Sequence, residues 1–218
     1  MVDLGFVTYS VGKSVKQDYL SWGFVIENVS DEVALSVSVE ADFTDGAGQP
    51  VPGTEEAGSF TVVLPGQKMG VGGNSMYDGP VVADMEVKVT MIGSLDTPDG
   101  KRHRDPPAPY QELRASNPVE TLTGQNDDNE VVTVDVTNTY GVPLKPKVTA
   151  VRRDANGVIV GGLGNNAMEE KIQPGARAQA TLTGQVHLPR LTSGTTEFSV
   201  DPVMGWIVTT DPVFEDLG

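Results

Sequence analysis

The sequence has no cysteine among its 218 residues, which removes disulfide frameworks, thiolate metal sites and cysteine nucleophiles together. Histidine is nearly as scarce, with only His103 and His187. Neither stands beside a recognisable nucleophile motif, so neither supplies the oriented base that a Ser-His-Asp triad requires. Aromatic residues make up 6% of the chain. The Tyr and Trp residues, Tyr9, Tyr19, Trp22, Tyr77, Tyr110, Tyr140 and Trp206, are dispersed rather than gathered into a platform that could stack on sugar rings. No stretch approaches the roughly 20 apolar residues of a membrane-spanning helix. The opening residues Met1 to Gly5 show neither the basic start nor the apolar segment of an export signal. Positive charge is also short: 15 basic against 30 acidic side chains leave a net charge of −15. A field of that sign repels phosphate backbones and anionic lipid, so nucleic acid is not expected as a partner; the charge reads first as a source of solubility, and a cationic partner, calcium included, is the sharper reading.

What the chain has in abundance is turn and strand chemistry. It contains 25 glycines and 15 prolines, and its many Val and Thr residues suit short strands joined by frequent turns. Within this background one pattern occurs twice. Phe24-Val25-Ile26-Glu27-Asn28 and Val134-Asp135-Val136-Thr137-Asn138 each end an apolar run at Asn, 110 positions apart. Downstream, Leu35, Val37, Val39, Ala41 and Phe43 alternate with polar residues, the period of a half-buried strand. That run enters Asp45-Gly46-Ala47-Gly48, as Val148 to Arg153 enters Asp154-Ala155-Asn156-Gly157. Asp and Asn bond nearby backbone and Gly accepts positive φ, so both loops read as hairpin turns. The pairs Pro65-Gly66 and Pro174-Gly175 stand 109 positions apart and suit type II turns. Met85 to Thr90 and Thr196 to Val200 read as the closing strands of the two copies.

These matches predict an all-β chain of two tandem sandwich domains, residues 1–95 and 112–218, with about seven short strands in each. Trp206-Ile207-Val208 reads as an extra strand. Between the copies, residues 96–111 form a Pro-rich basic linker. It carries the only dense basic cluster, Lys101, Arg102, His103 and Arg104, a docking point for acidic surfaces if it is anything more than solvated chain. The acidic stretch Asn126-Asp127-Asp128-Asn129-Glu130 offers carboxylate oxygens to calcium through Asp127, Asp128 and Glu130, but without the alternating spacing of a calcium loop. Tyr140, at the turn after Asn138, is expected to be the most exposed aromatic and so a binding residue. The glycine clusters Val71-Gly72-Gly73-Asn74 and Gly161-Gly162-Leu163-Gly164 lack the context of a phosphate loop and read as loop or bulge glycines.

The second copy, in Val131 to Asn138, Pro143-Leu144-Lys145, Asp154 to Val158 and Pro174-Gly175, resembles the FxLYD domain and its relatives, small immunoglobulin-like β-sandwich modules of exported bacterial and archaeal proteins, often lipoproteins. The likeness extends more weakly over Phe24 to Gly66. The naming Phe-x-Leu-Tyr-Asp strand is represented by Ala150-Val151-Arg152-Arg153-Asp154 and Ala41-Asp42-Phe43-Thr44-Asp45, which keep only the final Asp. The resemblance implies an immunoglobulin-like sandwich module in an extracellular or cell-surface setting, with a non-enzymatic role and no catalytic residues to carry over. With no cofactor expected, the chain reads as a module that binds another protein through loops or strand edges, or that serves as a structural spacer. A carbohydrate- or calcium-dependent ligand-binding module is the alternative.

Overall fold

The computed structural model describes residues 2–11, 17–54, 56–93, 110–123, 129–164, 168, 170–184 and 194–202. The regular elements among them are all strands, and none of the described residues forms a helix long and apolar enough to cross a membrane. The strands are β1 (Val2–Val11), β2 (Gln17–Glu27), β3 (Ala34–Asp45), β4 (Glu56–Val63), β5 (Lys68–Tyr77), β6 (Val82–Gly93), β7 (Ala115–Thr123), β8 (Asn129–Thr137), β9 (Lys147–Arg153), β10 (Ile159–Gly164), β11 (Arg177–Gly184) and β12 (Thr195–Asp201). They make four antiparallel three-stranded sheets, ordered β1-β2-β5, β4-β3-β6, β11-β8-β7 and β10-β9-β12. Strands β7 to β12 therefore repeat the pairing of β1 to β6 strand for strand. Each run has six described strands where the turn spacing predicted about seven; Trp206 to Val208 lie outside the described residues.

The shared turns hold in atomic detail. Asp45 Oδ1 accepts from the backbone N–H of Ala47 and Gln49, at 2.8 and 2.9 Å. Asp154 Oδ1 accepts from Asn156 and Val158, both at 2.9 Å. Gly48 and Gly157 follow at φ 75° and 81°, left-handed values that glycine adopts without steric cost. Asn28 Nδ2 donates to the carbonyls of Glu32 and Val63, and Asn138 Nδ2 to those of Val142 and Ile172. Each Asn thus ties its own turn to the strand region before the matching Pro-Gly pair.

Period two decides which face each strand buries. On β2 and β3, Leu20, Trp22, Phe24 and Ile26 meet Val37, Val39, Ala41 and Phe43 in one apolar cluster. Val132, Val134 and Val136 of β8 meet Val148 and Ala150 of β9 in a second. The intervening residues of β2 and β9 look the other way and meet each other: Val25 shares a buried cluster with Val151 and Ile159. The four sheets consequently stack in the order β4-β3-β6, β1-β2-β5, β10-β9-β12, β11-β8-β7. At one end, Val62 joins the second cluster, with Val33, Leu35 and Leu64 packed against it.

The middle contact of this stack is made by the two glycine clusters, which lie in strands β5 and β10 rather than in loops. A Cβ on Gly72 would sit 2.5 Å from both the Ala150 carbonyl oxygen and Gly162 Cα, and one on Gly23 would sit 2.7 Å from the Gly161 carbonyl oxygen. Only strands without side chains at these points allow the backbones to approach so closely. The bulge that was expected exists at one place, a register shift between Ile159 and Gly161. Polar ties flank the contact. Gly70 N–H donates to Ser199 Oγ at 2.7 Å, Thr149 Oγ1 donates to the Gly70 carbonyl, and Asp201 accepts from Thr61 N–H at 3.0 Å.

Candidate functional site

Beside this contact the two halves leave a cleft of about 1000 Å³, the upper end of the range of small-ligand sites. Its walls are mainly sheet edges. β5 is the outer strand of β1-β2-β5, and β11 is the outer strand of β11-β8-β7. Val71 to Asn74 line one side and Ala178 to Thr181 with Thr183 the other, and Glu56, Lys147, Met168 and Glu170 are among the remaining lining residues.

Hydrogen-bond parity shows which backbone groups point into this space. Asn28 N–H donates to the Gln67 carbonyl, and in an antiparallel pair such bonded positions recur every second residue. With the register Ile26 to Met69, Phe24 to Val71 and Trp22 to Gly73, those residues of β5 face β2. Gly70, Gly72 and Asn74 turn their N–H and carbonyl groups away from it. Gly70 bears this out, since both its backbone groups are taken by Ser199 and Thr149. On β11 the bond from Asn138 N–H to the Ala176 carbonyl, 2.9 Å, places Ala178, Ala180 and Leu182 toward β8 and turns Gln179 and Thr183 outward. Two strand edges, with outward-turned backbone at Gly72 and Asn74 of β5 and at Gln179 and Thr183 of β11, thus flank one cleft.

Side chains add specific chemistry. Trp22 lines the cleft and is 4% exposed, stacked on Phe24 at 5.9 Å and edge-on to Phe43 at 6.3 Å. Its indole edge lies over Gly73, where a Cβ would come within 2.9 Å of the ring. Its buried Nε1–H has no hydrogen-bond partner among the described residues. Asn74 donates from Nδ2 to the Gly162 carbonyl at 3.3 Å, while its Oδ1 and the hydroxyl of Ser21, the residue paired with it across β2 and β5, also have none. Such groups cost about 1–3 kcal/mol each when left unsatisfied. An occupant of the cleft that accepts from Trp22 would recover part of that cost.

The residues singled out from sequence are not gathered here. Lys101, Arg102, Arg104, His103, Asp127, Asp128 and His187 lie outside the described residues. Glu130 is the second residue of β8 and is 1% exposed. Its carboxylate is ion-paired to Arg152, which Glu120 also approaches at 3.7 Å. Burial lowers the pKa of Arg152, and the charge of Glu120 opposes that shift. The carboxylate is engaged within the protein rather than offered to a cation at the surface. No group of three or more His, Asp or Glu side chains able to hold a metal occurs among the described residues.

Tyr140 is a correction: it is 4% exposed rather than the most exposed aromatic. Its hydroxyl donates to the Gln111 carbonyl and accepts from Gln111 N–H, at 2.8 and 2.9 Å. Burial raises its pKa. The ring anchors the chain entering β7 and presents no face to solvent. The turn signal at Asn138 was read correctly, but a turn position does not settle where the following side chain packs. Trp22 and Asn74 were missed as site residues. The available signal was the run of Gly70, Gly72 and Gly73 on a strand, a stretch with little to pack of its own and therefore open to close approach by something else.

A comparison with protein-family models gives no match, and a comparison with curated proteins gives none either.

Proposed function

We propose that the chain is a non-catalytic, extracytoplasmic binding module that engages another protein through strand edges. In this reading residues 1–95 and 112–218 are immunoglobulin-like sandwiches in tandem, joined by the Pro-rich segment 96–111. The strand-for-strand repetition of sheet order supports the tandem arrangement. The turn chemistry that resembles FxLYD modules supports the sandwich type and the extracytoplasmic setting. The observation that carries the function is the cleft walled by the outward-turned backbone of β5 and β11. An open edge is a template for a further strand, and main-chain pairing with an added strand is a common way for sheets to hold a partner.

The test is capture of partners from the exported fraction of the producing cells by the immobilised chain, compared with Asn74→Pro and Gln179→Pro. Proline removes one outward N–H from an edge strand without touching the inner ladder. Loss of a captured protein in either variant, with circular dichroism unchanged, is the expected result. Equal capture by all three chains contradicts the assignment to these edges.

A further inference from the structure

The reading above leaves open what kind of partner segment the cleft takes and how it is recognised. We propose that the cleft binds an extended basic peptide, which adds as a strand to β5 at Gly72 to Asn74 and places a hydrogen-bond-accepting side chain against the Trp22 indole N–H. The inference rests on that reading of the protein as a strand-edge binder.

Three features point to this occupant. The backbone groups of Gly72 and Asn74 turn out from β2, and neither has a further hydrogen-bond partner among the described residues. Four edge residues, Val71 to Asn74, line the cleft, a span of about 14 Å at the rise of a strand, so a stretch of about four peptide residues can register there. Second, the side chains of an added strand alternate between the two faces of the sheet. Trp22 and Gly73 belong to the inner face, since a Cβ on Gly73 meets the indole. Gly72 and Asn74 belong to the outer face, where they meet Gly162. A carboxamide or hydroxyl oxygen on an inward residue of the peptide meets Trp22 Nε1–H. The next residue, pointing outward, brings a donor toward Asn74 Oδ1. Trp22 lies over Gly73, and Asn74 is the next residue of β5, so one short segment satisfies the two. Third, the charge is complementary to a cation. Glu56 and Glu170 line the cleft against Lys147, the single basic lining residue among those described, in a chain of net charge −15. Lysines flanking the paired segment would therefore be attracted to the cleft.

The test uses the ¹⁵N-labelled full chain and a pool of seven-residue synthetic peptides. Each has Lys at both ends and every combination of Asn, Gln, Ser, Thr and Val at the five inner positions. With two tryptophans in the chain, the Trp22 indole N–H signal is assigned by its loss in Trp22→Phe. The proposal expects the pool, and then single members, to shift that indole signal and the amides of Gly72 and Asn74. It also expects Trp22→Phe to weaken binding roughly three- to tenfold, the worth of one neutral hydrogen bond, and Asn74→Pro to abolish it in a chain whose remaining amide spectrum is unchanged. Peptide-induced shifts confined to other edges, such as β1 or β7, would overturn the proposal while leaving a strand-edge binding module standing. No shift with any peptide at 1 mM would overturn it too. So would shifts at Trp22 produced by a chito- or cello-oligosaccharide and not by the peptides, and that result would remove the protein-binding reading as well.

Discussion

Replacing Asn138 by alanine removes a side chain that closes a turn from inside. Its Nδ2 donates to the carbonyls of Val142 and Ile172, both at 2.8 Å, and its Oδ1 accepts from Tyr140 N–H at 2.8 Å. The residue is 1% exposed, so water does not readily take over these three bonds. At about 1 kcal/mol each, Asn138→Ala is expected to cost about 3 kcal/mol, which is large for a single substitution. Asn28 makes the corresponding bonds, to the carbonyls of Glu32 and Val63 and from Ser30 N–H at 3.1 Å. It is only half-buried, and solvent can replace part of what is lost, so Asn28→Ala is expected to cost about 1 kcal/mol. Urea unfolding followed by circular dichroism measures both, with unchanged m-values as the check that the native fold is kept. Equal losses, or losses below about 0.5 kcal/mol at both positions, would refute the idea that buried Asn latches close the two copies.

The buried ion pair gives a second expectation. Glu130→Gln strands the Arg152 guanidinium, 11% exposed, and should cost about 3 kcal/mol. Glu120→Gln, whose side chain is 54% exposed, should cost under about 1 kcal/mol; thermal unfolding ranks them. The Asp154 carboxylate accepts from the backbone N–H of Val158 and Asn156, which holds its carboxyl below the ordinary 3.8. The folded state thus keeps Asp154 charged where the unfolded state has begun to protonate. Its contribution to stability is full above that ordinary value and disappears as the pH falls through the folded pKa. A carboxyl-carbon NMR titration should place its midpoint below 3.8; a midpoint above it contradicts the bonding. Tyr9, stacked on Tyr19 at 5.6 Å, has its pKa pushed up to about 12 by burial and by the neighbouring phenol. Ultraviolet titration of wild type against Tyr9→Phe should show one phenol ionising near that value, and a normal value near 10 would refute it.

Much of the scaffold was legible in the residues themselves because its determinants are local. Asp45 and Asp154 bond backbone two and four residues on, and Gly48 and Gly157 supply the positive φ those turns need, so a short window contains the cause. The alternation in Val37, Val39, Ala41 and Phe43 likewise marks one buried face of β3. Leu35 continues that alternation yet packs against the other cluster, because the end of its strand reaches the second half. What could not be read depends on which surfaces meet. The outer face of β5 carries Gly70 and Gly72, and nothing in that stretch says that β9 and β10 lie on it. Glu130 sits beside Asp127 and Asp128 in sequence like a member of an acidic loop, while the fold turns it inward to Arg152, 22 positions further on. Tyr140 follows a polar turn but is drawn under it by Gln111. Sheet edges are also invisible to periodicity, since a strand reads alike whether one or both of its sides are paired.

The face-to-face contact between the two halves shapes the cleft and everything proposed for it, and Gly72→Ala with Gly162→Ala tests it through the sign of one number. Alanine in a strand without a close neighbour is the better residue by roughly 0.5–1 kcal/mol. Here a Cβ on Gly72 would lie 2.5 Å from the Ala150 carbonyl oxygen and Gly162 Cα, and one on Gly162 would lie 2.5 Å from Gly72 Cα, backbone atoms that cannot swing aside. Both variants are therefore expected to unfold at lower temperature than the parent chain, by several degrees for each kcal/mol of overpacking. A melting temperature that is unchanged or raised in both would mean that the faces of β5 and β10 do not meet.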